Sequence, residues 1–485
     1  MSALYDVAII GGGVVGSAAA RELSRYNLRI CVLEREQDVV NGVSGRNTGL
    51  LHSGVLYQKD TLRLECCLEG NAEFELVAEQ LDVPFKRCGK LIVGSTNQEL
   101  QQLDRLMQRG MDNGIKGLRM LDRQQLKELE PDVEGERALL AETAGILDPF
   151  SYTIALAENA AMNGVSYLFG HEVREVNRES DGTFSVLTSS GTVKSRWVIN
   201  CAGISSFRLS AMLGYYPYKP DRVKGEYIIL DKRVSSMLSH PVYPAPDENF
   251  VFDIHVTPTI DGNVLVGPSI EHIGDGDDYE ATGPMLQMLE KVGSSMFSCV
   301  RREFFIRNYV GVFPSLKNPE GTEELDYQIQ TSRDNPNTVN VVGINSPGVT
   351  SALPLGRRIA SIVAAEEGLS PRADFMPERK GIVRFAQCSD EQQAALIREN
   401  PEYGEIFCRC ECVTKAEVKQ AIHNILGVST ISGIKYRTRA TMGRCQGGYC
   451  ETRITDLLMK EKNLDRQEIM LNRPGAYLFT GSVRG

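Results

Sequence analysis

Two kinds of apolar pattern alternate along this chain. The run Tyr5-Asp6-Val7-Ala8-Ile9-Ile10 has no polar face, as expected for a strand buried on both sides. Glycines follow at once, then an alanine-rich stretch to about Tyr26, then Arg29-Ile30-Cys31-Val32-Leu33. The chain therefore opens as strand, tight turn, helix and strand. Residues 42–54, rich in Gly, Ser and Asn, predict an ordered loop. Helical spacing dominates 98–129. Later strands are predicted at 185–187, 197–200, 227–230, 264–266 and 339–342, and a helix at about 349–366. Residues 368–381 hold two prolines and no clear period, which places a linker at 371–400. A small unit at 401–463 follows, with helices near 415–425 and 452–460; residues 464–485 read as an appended arm.

Composition narrows the class. With 42% hydrophobic and 24% charged residues, the 485 positions support a large core and two or three packed units. A formal charge of −10 argues against a nucleic-acid binder and against polybasic attachment to an anionic membrane. No run approaches the ~20 apolar residues of a membrane span. The opening run is too short for a signal peptide and lacks a basic flank. The expectation is a cytoplasmic protein, at the inner membrane only through a partner.

Gly11-Gly12-Gly13-Val14-Val15-Gly16 fits G-x-G-x-x-G between a buried strand and a helix. Gly11 permits the tight turn, Gly13 lets backbone amides approach a pyrophosphate, and Gly16 lets helix and strand pack closely. The helix N-terminus offers unpaired N–H groups to phosphates. Glu34 ends the second strand, where an acid bonds a ribose hydroxyl. The pattern does not separate FAD from NAD.

The run Ser44-Gly45-Arg46-Asn47-Thr48-Gly49-Leu50-Leu51-His52-Ser53-Gly54 resembles the flavin loop of the D-amino-acid-oxidase superfamily. Within it, the chain is most similar to the large subunit of anaerobic glycerol-3-phosphate dehydrogenase and to L-2-hydroxyglutarate dehydrogenase. The stretches Val198-Ile199-Asn200-Cys201-Ala202-Gly203, Lys224-Gly225-Glu226-Tyr227 and Val342-Gly343-Ile344-Asn345-Ser346-Pro347-Gly348-Val349-Thr350 resemble the same group. The resemblance implies FAD. It places Gly11, Gly13, Val15, Gly16, Glu34 and Arg35 on the adenosine and phosphate side, with Val173, Ala202 and Gly203. It places Ser44, Gly45, Arg46, Asn47, Thr48, Gly49 and Leu51 on pyrophosphate and ring. Gly348, Val349 and Thr350 then lead into a helix whose positive end favours negative charge on the flavin.

Oxidising an alcohol needs a base for the hydroxyl proton and anchors for the substrate. A histidine titrates near neutrality and suits the task. His52 lies in the flavin loop. His255, within Phe252-Asp253-Ile254-His255-Val256-Thr257-Pro258, resembles a strand lining the family's substrate pocket. Both are candidates for base or substrate ligand, and His52 is also a candidate for covalent attachment of FAD. Around Tyr309-Val310-Gly311-Val312-Phe313-Pro314, Phe313 stands where the family shows an anion-gripping arginine; Arg307 and Lys224 are the candidates to replace it.

Four of twelve cysteines form a compact pattern: Cys408-Arg409-Cys410, then 34 residues, then Cys445-Gln446-Gly447-Gly448-Tyr449-Cys450. Four thiolates suit a 2Fe–2S cluster or a structural zinc, and the spacing is neither common ferredoxin pattern. With Thr438-Arg439-Ala440-Thr441-Met442-Gly443-Arg444, it resembles the bacterioferritin-associated-ferredoxin domain of the same dehydrogenase subunits. That resemblance implies 2Fe–2S ligation by Cys408, Cys410, Cys445 and Cys450, with Cys412 a bystander.

The expected fold is α/β: a Rossmann-type FAD part (1–85, 140–215, 335–370) interleaved with an α+β substrate part (86–139, 216–334), together 1–370. A helical 2Fe–2S unit follows. The expected activity is dehydrogenation of a small hydroxy substrate, with C–N oxidation of an amino acid, imino acid or opine as the alternative. Electrons pass to a second flavoprotein or a quinone-linked subunit.

Overall fold

The strand Leu4–Ile10 runs through the middle of an eight-stranded sheet, paired in parallel with Gly191–Asn200 on one side and Ile30–Glu34 on the other. Val7, Ala8 and Ile9 are wholly buried there, so neither face tolerates a polar side chain. This description is of a computed structural model and covers residues 4–215, 218–248, 254–318 and 320–481. Ser166–Phe169 and Thr338–Val342 extend the parallel part; Val173–Arg178, Phe184–Thr188 and Gln328–Gln330 are antiparallel additions. One face packs through Val7, Ile9 and Val32 onto the helices Val14–Leu23 and Ala352–Glu367. The other packs through Ala8, Ile10 and Leu33 onto Phe184, Val186 and Leu209.

A second, nine-stranded sheet alternates with the first along the chain. Its spine is the antiparallel pair Lys219–Leu230 and Phe305–Lys317. The helix Gly283–Met296 closes one of its faces through Leu289, against Val256, Val264 and Val266. A nucleotide-type sheet interleaved with an α+β unit is the class the patterning predicts.

Four segments depart from expectation. Helical period was read through 98–129, but Leu118–Asp122 is a strand between the helices Asn97–Asp112 and Arg123–Leu129. Its partner, Arg137–Ala141, lies downstream, and local periodicity cannot register that pairing. The helix expected from 349 starts at Ala352. The stretch 371–400 holds the helix Asp390–Glu399 and is tied down before it. Asn159 and Asn163 donate to the Met376 carbonyl at 3.0 and 2.9 Å, and Arg379 bonds Glu158 at 2.6 Å. The final segment is no loose appendage: Ile469 is fully buried, and Leu478 and Phe479 pack on the core of the small unit. That core joins Phe407, Val418, Ile454 and Leu458 from the helices Lys415–Ile422 and Glu451–Lys462 and the chain before them, with an unpredicted helix, Ile431–Thr438.

Candidate functional site

A cavity of about 640 Å³ reaches from the glycine turn to the inner face of the second sheet. Gly11 adopts φ +102°, and a Cβ there would lie 2.4 Å from the Cys201 carbonyl oxygen. At Gly16 a Cβ would lie 1.9 Å from the Gly11 oxygen, so turn and helix close only on glycine. The N-cap residue Gly13 has no side chain to cap the helix Val14–Leu23; Ser44 Oγ accepts the Val14 N–H at 2.8 Å, and the N-terminus opens on the cavity. Glu34 accepts the N–H groups of Gly12 (2.7 Å) and Glu36 (3.0 Å), while burial pushes its carboxyl above the usual range.

Gly11, Gly13, Val15, Glu34, Arg35, Ser44, Arg46, Asn47, Thr48, Gly49, Val173, Ala202, Gly203, Gly348 and Val349 all line this one cavity. Gly16, Gly45, Leu51 and Thr350 are not in its wall. Gly45 is pressed on the Val40 carbonyl, Leu51 is core, and Thr350 Oγ1 accepts the His52 N–H at 3.0 Å. A cavity with a helix N-terminus in one wall and the Glu34 carboxylate in its lining fits FAD.

His52 and His255 share the far end with Tyr57, Arg109, Tyr243 and Phe313. The His52 ring is held on both nitrogens: Nδ1 lies 3.1 Å from Tyr57 Oη and Nε2 3.2 Å from Ser346 Oγ, and those two hydroxyls are 3.1 Å apart. His255 stacks on Tyr243 with centroids 3.9 Å apart, its Nδ1 3.0 Å from Thr257 Oγ1. Burial, then the charge of Lys90, push both pKa values down: His52 well below the usual range, His255 to about 3. Both are neutral at working pH rather than half-titrated. Phe252 and Asp253, part of the strand motif, lie outside the described residues.

Lys224 and Arg307 do not reach this site. Lys224 is buried with its Nζ 2.6 Å from Asp278 and 3.8 Å from Glu226; burial opposes its charge, but these acids outweigh it and raise its pKa. Arg307 is exposed and donates to Gln446 Oε1 at 3.0 Å, six residues from Phe313 on one strand, roughly 20 Å at the usual rise. Three cations that sequence reasoning passed over stand there instead: Arg63, in the cavity wall and paired with Glu324 at 3.1 Å, then Arg109 and Lys90. Arg109 lines the cavity and donates to the Leu56 carbonyl at 3.2 Å. Lys90 is wholly buried, 4.5 Å from the Tyr243 ring centroid, and burial brings it down to about 7. A charged residue opening the apolar run Leu91-Ile92-Val93 was the available signal.

The four C-terminal thiols belong to the small unit. Cys408 and Cys450 are buried in its core, while Cys410 and Cys445 are exposed. Among the described residues no three His, Cys, Asp or Glu side chains gather tightly enough to hold one ion. Four thiols from one small unit, with no imidazole or carboxylate among them, are a donor set that fits 2Fe–2S. Cys412, exposed with its Sγ toward the Arg409 carbonyl, stands apart.

A model of the FAD dependent oxidoreductase family matches residues 6–362, and a model of the BFD-like [2Fe-2S] binding domain matches 406–460. A glycerol 3-phosphate dehydrogenase of Caloramator mitchellensis is 32% identical over 99% of both chains. A mitochondrial L-2-hydroxyglutarate dehydrogenase of Nematostella vectensis is 34% identical over 55% of this chain and 62% of its own. The dithionite-reduced L-alpha-glycerophosphate oxidase of Mycoplasma pneumoniae, solved with FAD bound, superposes with a TM-score of 0.72 at 26% identity, over 78% of this chain and 98% of that one. A glycine oxidase of Geobacillus kaustophilus, at 20% identity and TM-score 0.67, shares the fold over 77% of this chain and 96% of its own.

Proposed function

The chain belongs to the FAD dependent oxidoreductase family and carries a BFD-like [2Fe-2S] domain, and from that premise we propose that it oxidises a small anionic alcohol, glycerol 3-phosphate first among them. It is an FAD-dependent oxidoreductase of the glycerol-3-phosphate dehydrogenase type; the substrate and acceptor are our reading. The carrying observation is a neutral His52 fixed between Tyr57 and Ser346 in a cavity wall that also presents Arg109.

Bound FAD supplies the acceptor for the hydride that leaves the substrate carbon, and the cluster carries electrons singly. The rest falls to the chain. A neutral imidazole offers one lone pair, so His52 has one site at which to receive the hydroxyl proton. Tyr57, whose hydroxyl burial keeps protonated, and Ser346 fix the ring plane and exchange hydrogen bonds as that proton arrives. Arg109 takes the anionic group through a forked guanidinium. His255, braced by Thr257 and Tyr243, positions the rest of the substrate. The acceptor we propose is a second flavoprotein or quinone-linked subunit; no helix among the described residues is long and apolar enough to cross a membrane.

The test is anaerobic bleaching of the flavin absorbance by glycerol 3-phosphate, 2-hydroxyglutarate, glycerol, glycine and proline. Bleaching by an anionic alcohol at the lowest concentration supports the reading. Bleaching by the amines alone overturns it in favour of C–N oxidation.

A further inference from the structure

The strand Phe305–Lys317 touches both the cavity loop and the cysteine loop. Tyr309 Oη donates to the Asn47 carbonyl at 3.2 Å, and Arg46 Nη1 donates to the Val310 carbonyl at 3.1 Å. A Cβ on Gly311 would lie 2.3 Å from the Arg46 oxygen. Arg46 and Asn47 line the cavity, so the strand is pressed against its wall. Tyr309 also stacks on Tyr227, another wall residue, with centroids 4.5 Å apart and planes 6° apart. Two residues earlier, Arg307 donates to Gln446 Oε1 at 3.0 Å, and Gln446 directly follows Cys445. Positions two apart share one face of a strand and lie roughly 7 Å from each other. One strand face therefore carries the contact to the flavin side and the contact to the cluster side.

Both ends of the Gln446 amide are used. Its Nε2 donates to the carbonyls of Met442 (3.1 Å) and Gly443 (2.9 Å), so the nitrogen serves the cysteine loop and the oxygen is left to Arg307. Ion pairs fasten the same loops to the second sheet elsewhere. Glu411, between Cys410 and Cys412, meets Lys232 at 2.7 Å and Arg439 at 3.0 Å. Arg439 also meets Asp261 at 2.7 Å, and Arg444 lies 3.1 Å from Asp231. Of these anchors, Arg307 is the one that stands on the strand touching Asn47. We propose that Arg307 and Gln446 are positioning residues that hold the cysteine loop against this strand, and that electrons cross from flavin to cluster at this contact within one chain. The rest of the dock keeps the small unit in place, and the Arg307–Gln446 bond sets how closely the Cys445 end approaches the cavity wall.

The proposal rests on electrons leaving through the cluster, so the two steps are read separately. The flavin takes two electrons from the substrate with the hydride. The cluster takes one at a time: a ferric iron becomes ferrous, no ligand bond is made or broken, and the matching proton passes from the flavin to water. The full chain, holding FAD and iron, is mixed anaerobically with whichever compound of the panel above bleaches the flavin. Absorbance follows the flavin, and freeze-quench EPR follows the reduced cluster. Arg307→Ala is expected to leave bleaching unchanged and to slow cluster reduction roughly 10-fold, the scale of one lost charge-assisted hydrogen bond. Arg307→Lys, which can still donate to Gln446 Oε1, should recover most of that rate. Cluster reduction as fast in Arg307→Ala as in the parent, or equal slowing of both steps, overturns the proposal. A rate that rises with enzyme concentration would place the transfer between chains and overturn it too. A parent enzyme whose flavin bleaches while its cluster stays oxidised would instead remove the exit through the cluster itself. Hydrogen exchange over 442–450 needs no substrate. It should rise in Arg307→Ala and return in Arg307→Lys, and unchanged exchange would show that this bond does not hold the loop.

Discussion

Arg437 and Asp38 form a two-pronged ion pair across the junction of the small unit and the flavin-binding sheet, with Nη1–Oδ2 at 2.6 Å and Nη2–Oδ1 at 3.2 Å. Both side chains are buried, and Glu158 stands 3.6 Å from the same guanidinium. A buried pair adds little net stability, but removing one partner strands a charge and costs roughly 3–5 kcal/mol. Arg437→Met is therefore expected to lower unfolding stability by about that much and to expose 371–400 to limited proteolysis. The double variant with Asp38→Leu should recover part of the loss. Equal losses in single and double variants would mean that the pair does not hold the junction.

Gly16→Ala probes the turn. The new methyl would meet the Gly11 oxygen at 1.9 Å, and overpacking of this kind costs about 1–3 kcal/mol while displacing the amides that face the pyrophosphate. Purified protein is expected to lose FAD, measured by flavin absorbance per chain, while keeping its iron. Full flavin content would contradict the role given to this turn.

Much of this was legible in the chain because the informative features are local. A strand with no polar face, glycines at fixed spacing and an acid one strand later all sit within Tyr5 to Glu34, so one window contains the signal. The cysteine pattern is local in the same sense. Lys90 and Arg109 were not legible, because what matters about them is which residues from distant strands surround them. Lys90 sits under Tyr243 only through parallel pairing of Lys90–Gly94 with Val242–Pro244. Lys224 and Arg307 were nominated by their charge, as replacements for an arginine at the position of Phe313. Partners far along the chain, Asp278 and Gln446, claim them instead.

His52→Gln removes the proton acceptor while keeping hydrogen-bond capacity toward Tyr57 and Ser346. General-base catalysis contributes about 10²–10⁴-fold, so the rate of anaerobic flavin reduction should fall within that range while substrate affinity changes little. Tyr57→Phe should cost less, since it loosens the ring without removing the base. A His52→Gln enzyme with undiminished reduction rate would transfer the base role to His255.

Lys90 bears on pH in two ways. Its folded pKa of about 7 lies below the ordinary lysine value of 10.5, so between those limits the unfolded chain binds more protons. Stability therefore rises with pH across that window. Lys90→Met should remove this contribution and make stability flatter there, as read by denaturation at pH 7 and pH 10. The same substitution removes the cation that, after burial, holds His52 and His255 down. Their pKa values should rise, and the acid limb of kcat/KM should move to higher pH. An unmoved limb would mean that burial alone keeps these rings neutral.

Arg109 carries the choice of substrate. With Lys224 and Arg307 engaged elsewhere and Arg63 paired with Glu324, Arg109 is the guanidinium we assign to the anion, held on the His52 side by its 3.2 Å bond to the Leu56 carbonyl, next to Tyr57. A charged hydrogen bond is worth about 1.5–3 kcal/mol, so Arg109→Leu should raise KM for an anionic alcohol roughly 10- to 100-fold. If the guanidinium grips the anion equally before and during reaction, kcat should hold while KM rises. Glycerol, which lacks the anion, should be used no worse by the variant than by the parent enzyme. Arg109→Lys keeps the charge but loses the fork and should fall between the two. An equal loss for glycerol and for the anionic substrates would show that Arg109 shapes the cavity without gripping an anion. A substrate with no negative charge would then become the better candidate.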